Sequence, residues 1–166
     1  MLDVTELSAR YRVRRLSDAD ADGILAFCRE NTLFYEYCQA QPTEEQVHRD
    51  LHVTPPGVEP SAKYYLGFFD GDMLAAVLDL IEGYPDEKSC YIGFFMMNAR
   101  LQGRQLGSAL IGEVCAYLKG RGFAALRLGI DRDNPQSTHF WMKNGFRVVR
   151  EVERDDWTVL VAEKTL

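Results

Sequence analysis

The chain has 166 residues, of which 46% are apolar and 27% charged. That is the size and balance of one globular domain, and it excludes disorder, collagen and coiled coil as the main theme. A chain this long buries roughly 70% of its unfolded surface, so its core needs no disulfide or metal. Nineteen basic against 25 acidic side chains give a net charge of −6, which argues against a protein that grips nucleic acid through phosphates. The charge is unevenly spread: residues 1–83 carry 7 basic and 15 acidic groups, or −8, and residues 84–166 carry 12 and 10, or +2.

In chain order, residues 11–16 (YRVRRL) alternate as a short strand, and Ser17 or Asp18 caps a helix running to about Asn31. A polar-aromatic stretch (LFYEYCQAQ) follows. Thr43 is the N-cap of a second helix, with Gln46 at the capping-box position. The prolines of 55–62 mark a loop. Residues 64–70 and 73–82 form a hairpin about Gly71-Asp72, and 88–97 form a third strand. An amphipathic helix spans about 104–120, with Leu106, Leu110, Val114, Tyr117 and Leu118 as its inner stripe. Residues 123–130 read as a buried strand. Asn134 and Pro135 start a short helix to Lys143, and 146–152 and 157–163 are two last strands. A hairpin-rich run switching to a βαβ crossover predicts an α+β fold with one mixed sheet.

The cysteines Cys28, Cys38, Cys90 and Cys115 show no C-x-x-C pairing and read as buried, reduced thiols. The N-terminal stretch lacks the apolar segment of a signal peptide, and no run approaches 18 apolar residues, so a cytoplasmic location is expected without membrane contact. His48 and His52 share a helix face, but with no third ligand evident they read as a solvated pair rather than a metal site.

The informative unit is a strand, then NARLQGRQLGS (98–108), then a helix. A glycine-bearing turn at a helix N-terminus binds anions through unpaired N–H groups and the helix dipole. Arg100 and Arg104 flank this turn. It is neither a Walker A loop nor a dinucleotide fingerprint, because the glycines at 103, 107 and 112 have the wrong spacing.

This combination resembles the GCN5-related N-acetyltransferases. The family's phosphate loop follows Q/R-x-x-G-x-G/A; Gln102-Gly103-Arg104-Gln105-Leu106-Gly107 matches at Gln102 and Gly107, with Gln105 in place of the first glycine. Downstream, Asn134, Ser137, Trp141 and Gly145-Phe146 fall at the family's spacings, and the resemblance spans about 11–163. It implies a single domain (1–166) with a central, mostly antiparallel seven-stranded sheet and about four helices. An acceptor side would lie in about 11–85, a cofactor core in about 88–146, and a C-terminal hairpin in about 146–163. It implies an acetyltransferase (EC 2.3.1 type) that moves the acetyl group of acetyl-coenzyme A to a primary amine of a small molecule or peptide by direct attack. The alternative is a non-catalytic acyl-coenzyme A sensor.

By the same resemblance, the backbone of Gln102, Gly103, Arg104, Gln105, Leu106, Gly107 and Ser108 would hold the pyrophosphate. Phe94, Phe95, Met96 and Met97 would pair with the pantetheine arm, with a main-chain N–H of Met96 or Met97 polarising the thioester carbonyl. Arg100 and Arg104 either approach the 3′-phosphate or stay solvated. Gln105 is expected to avoid positive φ. Asn134 and Ser137 are candidates to position the arm and thiol. Trp141 stands where a tyrosine often protonates the thiolate, and it can only wall the slot or donate a hydrogen bond. His139, about 200° around the helix from Trp141, reads as a surface residue. Among Asp79, Glu82 and Tyr84, Glu82 is the expected base. Phe34, Tyr35, Glu36 and Tyr84 are expected on the acceptor side, and the last strands offer an edge for a homodimer.

Overall fold

In the computed structural model, which describes residues 1–37 and 41–166, seven strands form one sheet in the order β1-β2-β3-β4-β5-β7-β6. The strands are β1 (Arg12–Arg15), β2 (Lys63–Asp70), β3 (Met73–Glu82), β4 (Ser89–Met97), β5 (Ala125–Asp131), β6 (Arg147–Glu153) and β7 (Thr158–Thr165). All neighbours are antiparallel except β4 and β5. That parallel pair is bridged by the long helix α4 (Leu106–Gly120), as a crossover requires. The other helices are α1 (Ala21–Glu30), α2 (Thr32–Tyr35), α3 (Glu44–His52) and α5 (Pro135–Lys143).

Four of these helices lay an apolar stripe on the sheet. Ala21, Ile24, Phe27 and Cys28 of α1 join Val47 and Leu51 of α3 against Tyr65, Val77 and Met96 on one face. On the other face, Leu110, Ile111, Val114 and Leu118 of α4 and Trp141 of α5 cover Leu78, Leu80, Ile92, Leu126 and Leu128. The starts are capped as their residues suggest. Ser17 and Asp20 form a capping box, Thr43 Oγ1 accepts from Gln46 N (3.1 Å), and Asn134 Oδ1 accepts from Ser137 N (2.8 Å).

Two features differ from the sequence reading. The aromatic stretch after α1 contains the one-turn helix α2, packed by Phe34 edge-on to Phe94 (ring centroids 5.6 Å), a contact between residues 60 apart. His48 and His52 stay open to solvent but share a partner that the sequence reading did not foresee. His48 Nδ1 lies 2.7 Å and His52 Nε2 2.8 Å from the two oxygens of Asp18, joining α3 to the turn before α1. The hydrogen bond from His48, then that from His52, holds the Asp18 carboxyl below its usual range. Cys28, Cys90 and Cys115 are free and buried, whereas Cys38 lies outside the described residues. Among the described residues no helix is long and apolar enough to cross a membrane.

Candidate active site

The site begins where β4 leaves β5. Only Ser89–Ile92 pair with Ala125–Leu128; beyond them β5 stays with β7, and β4 continues to Met97 on β3 alone. The departure falls at a bulge. Leu80 opposes Ile92 and Asp79 opposes Phe94, so Gly93 is left unpaired. Asn98 N donates to Ala75 O (2.8 Å), toward β3. Alternation along a strand then turns the Met96 N–H toward β3 and the Phe95 and Met97 N–H groups toward the open edge. Of the two groups expected to polarise a carbonyl, Met97 N–H faces the gap and Met96 N–H does not.

The gap opens into a cavity of about 340 Å³ lined by Phe34, Phe95, Met96, Met97, the loop from Leu101 to Ser108 apart from Arg104, and Asn134, Ser137, Phe140 and Trp141 of the α5 region. All of the expected cofactor residues except Phe94 and Arg104 line it. Arg104 is exposed, and Arg100, 77% exposed, stands 4.0 Å from Glu30.

The loop is built for close approach. The first α4 amide with an acceptor in its own helix is Ala109 N, on Gln105 O (3.0 Å), which leaves the N–H groups of Leu106, Gly107 and Ser108 available to a ligand. A Cβ on Gly107 would lie 3.1 Å from Met97 Cγ, so glycine lets the first turn of α4 sit on the end of β4. Gln105 does not avoid positive φ. It takes φ 59° and ψ 8°, the left-handed conformation that the turn into α4 demands, and it stays exposed. Gln102 acts inward: its Nε2 donates to Asn31 Oδ1 and to Met97 O (3.1 Å), pinning the loop to the end of α1.

On the far wall, Asn134 Oδ1 is spent on the α5 cap, so its Nδ2 is the part left to meet a ligand. Trp141 is buried among Phe95, Phe140 and Phe146, with ring centroids 5.0–5.8 Å away, and serves as wall. His139 is exposed at the rim.

Glu82 lies elsewhere. It pairs with Cys90, four residues or roughly 13 Å along β4 from Phe94. Its carboxylate accepts from Tyr64 Oη (2.7 Å) and from the amino group of Met1 (3.3 Å). It lines neither this cavity nor the one next to it. A strand end near the cofactor strand made it a candidate, but it is the wrong end.

A second cavity, of about 360 Å³, is lined by Asp50, Val53, Thr54, Pro55, Tyr65, Asp79, Ile81, Tyr91, Gly93 and Phe94. It adjoins the first at β4: Phe94 lines one, Phe95 to Met97 line the other, and Phe34 of the first meets Phe94 of the second. Of the expected acceptor residues, Phe34 stands at this junction and Tyr35 packs on it (5.1 Å). Tyr84 backs Tyr91 (5.6 Å), and Glu36 is exposed without lining either cavity. Lys63 and Asp50 were missed. The available signal was Asp79 itself, one carboxylate inside the apolar run AAVLDLI, which needs a buried partner.

A sequence model described as the Acetyltransferase (GNAT) family matches residues 24–146, and the chain belongs to that family. No curated protein matches the sequence closely enough to count as a relative. Among solved structures it is similar to an acetyltransferase from Thermus thermophilus (TM-score 0.74, 23% identity, covering 93% of this chain and 96% of that one). It is also similar to the PaiA N-acetyltransferase from Thermoplasma acidophilum in complex with coenzyme A (0.67, 19%, 93% and 98%) and a GCN5-related N-acetyltransferase from Kribbella flavida (0.65, 25%, 95% and 98%). The expected family and seven-stranded α+β fold therefore hold, with five helices instead of about four, since α2 was not foreseen. The protein is an acetyltransferase, and the family's acetyl donor is acetyl-coenzyme A. The cavity fits that donor: an unpaired strand edge suits its amide-bearing arm, and an uncapped helix N-terminus suits its phosphates.

Proposed function

We propose that the chain transfers the acetyl group of acetyl-coenzyme A to a primary amine of a small molecule or exposed peptide by direct attack, in the cytoplasm. The observation that carries this reading is the half-paired strand β4 opening beside the free N–H groups of α4. Bound acetyl-coenzyme A supplies the thioester carbon. The N–H groups of Leu106 to Ser108 hold phosphate at the positive end of the helix. Those of Phe95 and Met97 face the open edge, where one can stabilise a developing oxyanion. Asn134 and Ser137 line the opposite wall, and the Nδ2 of the one and the hydroxyl of the other are the groups that donate to the leaving sulfur in this reading.

One observation favours the non-catalytic sensor as a second reading: the α5 position facing β4 is Trp141, whose indole has no proton to give near neutral pH. A single experiment separates the two. Millimolar acetyl-coenzyme A should raise the melting temperature, and thiol release should follow with some member of a broad primary-amine panel. The absence of any thermal shift overturns both readings. A shift without turnover, with turnover appearing in Trp141→Tyr, selects the sensor.

A further inference from the structure

The second cavity has a chemistry of its own. Lys63 Nζ donates to both oxygens of Asp79 at 2.8 Å, and the two side chains are only 4% and 12% exposed. A buried ion pair of this kind contributes little net stability, because the desolvation of both charges offsets their attraction. Its position is the informative part. An alanine Cβ at residue 93 would lie 2.4 Å from Asp79 Oδ2, so the carboxylate rests on the backbone of the β4 bulge, and only glycine leaves room for it. The bulge is also where the cofactor edge begins. Asp50 enters from α3, held by Gln46 Nε2 (2.6 Å). The remaining wall is largely apolar or aromatic, with Val53, Ile81, Phe94 and the rings of Tyr65 and Tyr91.

We propose that this cavity receives the acceptor, a primary ammonium on an apolar or aromatic stem, and that Asp79, positioned by Lys63 over Gly93, removes its proton. The inference rests on the acetyltransferase reading above. Two carboxylates against one ammonium leave the cavity attractive to a cation, and the aromatic walls accept both its stem and its charge. The balance is simple. One proton passes from the ammonium to Asp79 and on to solvent. The neutral nitrogen bonds to the acetyl carbon, the carbon–sulfur bond breaks, and the thiolate takes the second nitrogen proton through water. Burial pushes the Asp79 carboxyl up to about 6 against the opposing pull of Lys63, with Asp50 adding to the rise, which suits a base working near neutrality. The groups facing Asp79 are Lys63 and Tyr65 on β2, Asp50 on α3 and Tyr91 on β4.

The test compares wild type with Asp79→Asn, Asp50→Asn, Lys63→Met and the double variant Lys63→Met/Asp79→Asn, which removes both buried charges and so guards against misfolding. Phenethylamine, butylamine, spermidine and glycinamide are the probes. Acetyl-coenzyme A affinity by calorimetry should be unchanged in all variants. Phenethylamine should bind the coenzyme A complex of wild type, and about tenfold more weakly that of Asp50→Asn. Asp79→Asn and the double variant should lose about 100-fold or more in kcat/KM and lose the acid limb of the pH profile. Lys63→Met should shift that limb, and the Asp79 carboxyl resonance in the cofactor-free protein, to higher pH. Amine turnover within threefold of wild type in Asp79→Asn, preference for glycinamide over phenethylamine, or an unmoved limb in Lys63→Met overturns the proposal. Failure of wild type to bind acetyl-coenzyme A overturns the underlying acetyltransferase reading instead, and this proposal with it.

Discussion

Gln105 shows how one residue can be shaped against its own preference. A non-glycine residue at φ 59° crowds its Cβ against the neighbouring carbonyl. The turn into α4 nevertheless needs that conformation, and the flanking packing of Gly107 against Met97 holds it. Gln105→Gly relieves the crowding but adds freedom to the unfolded chain, and the net gain should be about 0.5–1 kcal/mol. Urea unfolding measures it; a loss of stability would show that the Gln105 side chain contributes something beyond the turn. Asp79 is the converse case, a charged group tolerated in a strand because Lys63 and the bare backbone of Gly93 accommodate it.

At the level of elements, the approach to α1 is tied down by charge. Arg14 forms a two-point contact with Asp20, at 2.6 and 3.0 Å, and this holds the Asp20 carboxyl at about 2. Because the folded value lies below the unfolded one, the stabilisation is fully present above about pH 4 and fades as pH falls toward 2. The stability difference between wild type and Asp20→Asn should therefore shrink over that window and stay flat from about pH 5 to 7. A difference that grows on acidification would contradict this. Elements set by neighbouring residues were legible in the sequence: the hairpin about Gly71-Asp72, the Thr43 cap, and the Asn134-Pro135 start of α5. Helix α2 was not, because its turn rests on Phe94, far along the chain. The residues that line the first cavity were legible through the family resemblance, because most of them follow one another along β4, the loop after it and α5. The second cavity was not, because Lys63 and Asp79 meet only through the register of β2 on β3, and Asp50 arrives from a helix. Glu82 was misplaced by the same blindness to register, which puts it opposite Cys90.

Across the whole molecule, the uneven charge has a spatial counterpart. Asp50, Lys63 and Asp79 belong to the acidic half, and Lys143, the charged side chain that lines the first cavity, to the basic half, so the two cavities that meet at Phe34 and Phe94 draw their charged groups from opposite sides of that division. The parting of β4 from β5 also has a mechanical side. Strands β1 to β4 and β5 to β7 are fastened to each other by four residue pairs, whereas β2 on β3 and β5 on β7 are paired along eight and seven. A sheet so joined has a seam, and the first opening motion of the molecule should run along it. Amide exchange should show this as fast labelling of Phe95 and Met97 beside slow labelling of Cys90 and Ile92 in the same strand. A ligand lying in the seam would act as a splint between the halves, and its loss would be felt as breathing of the sheet itself.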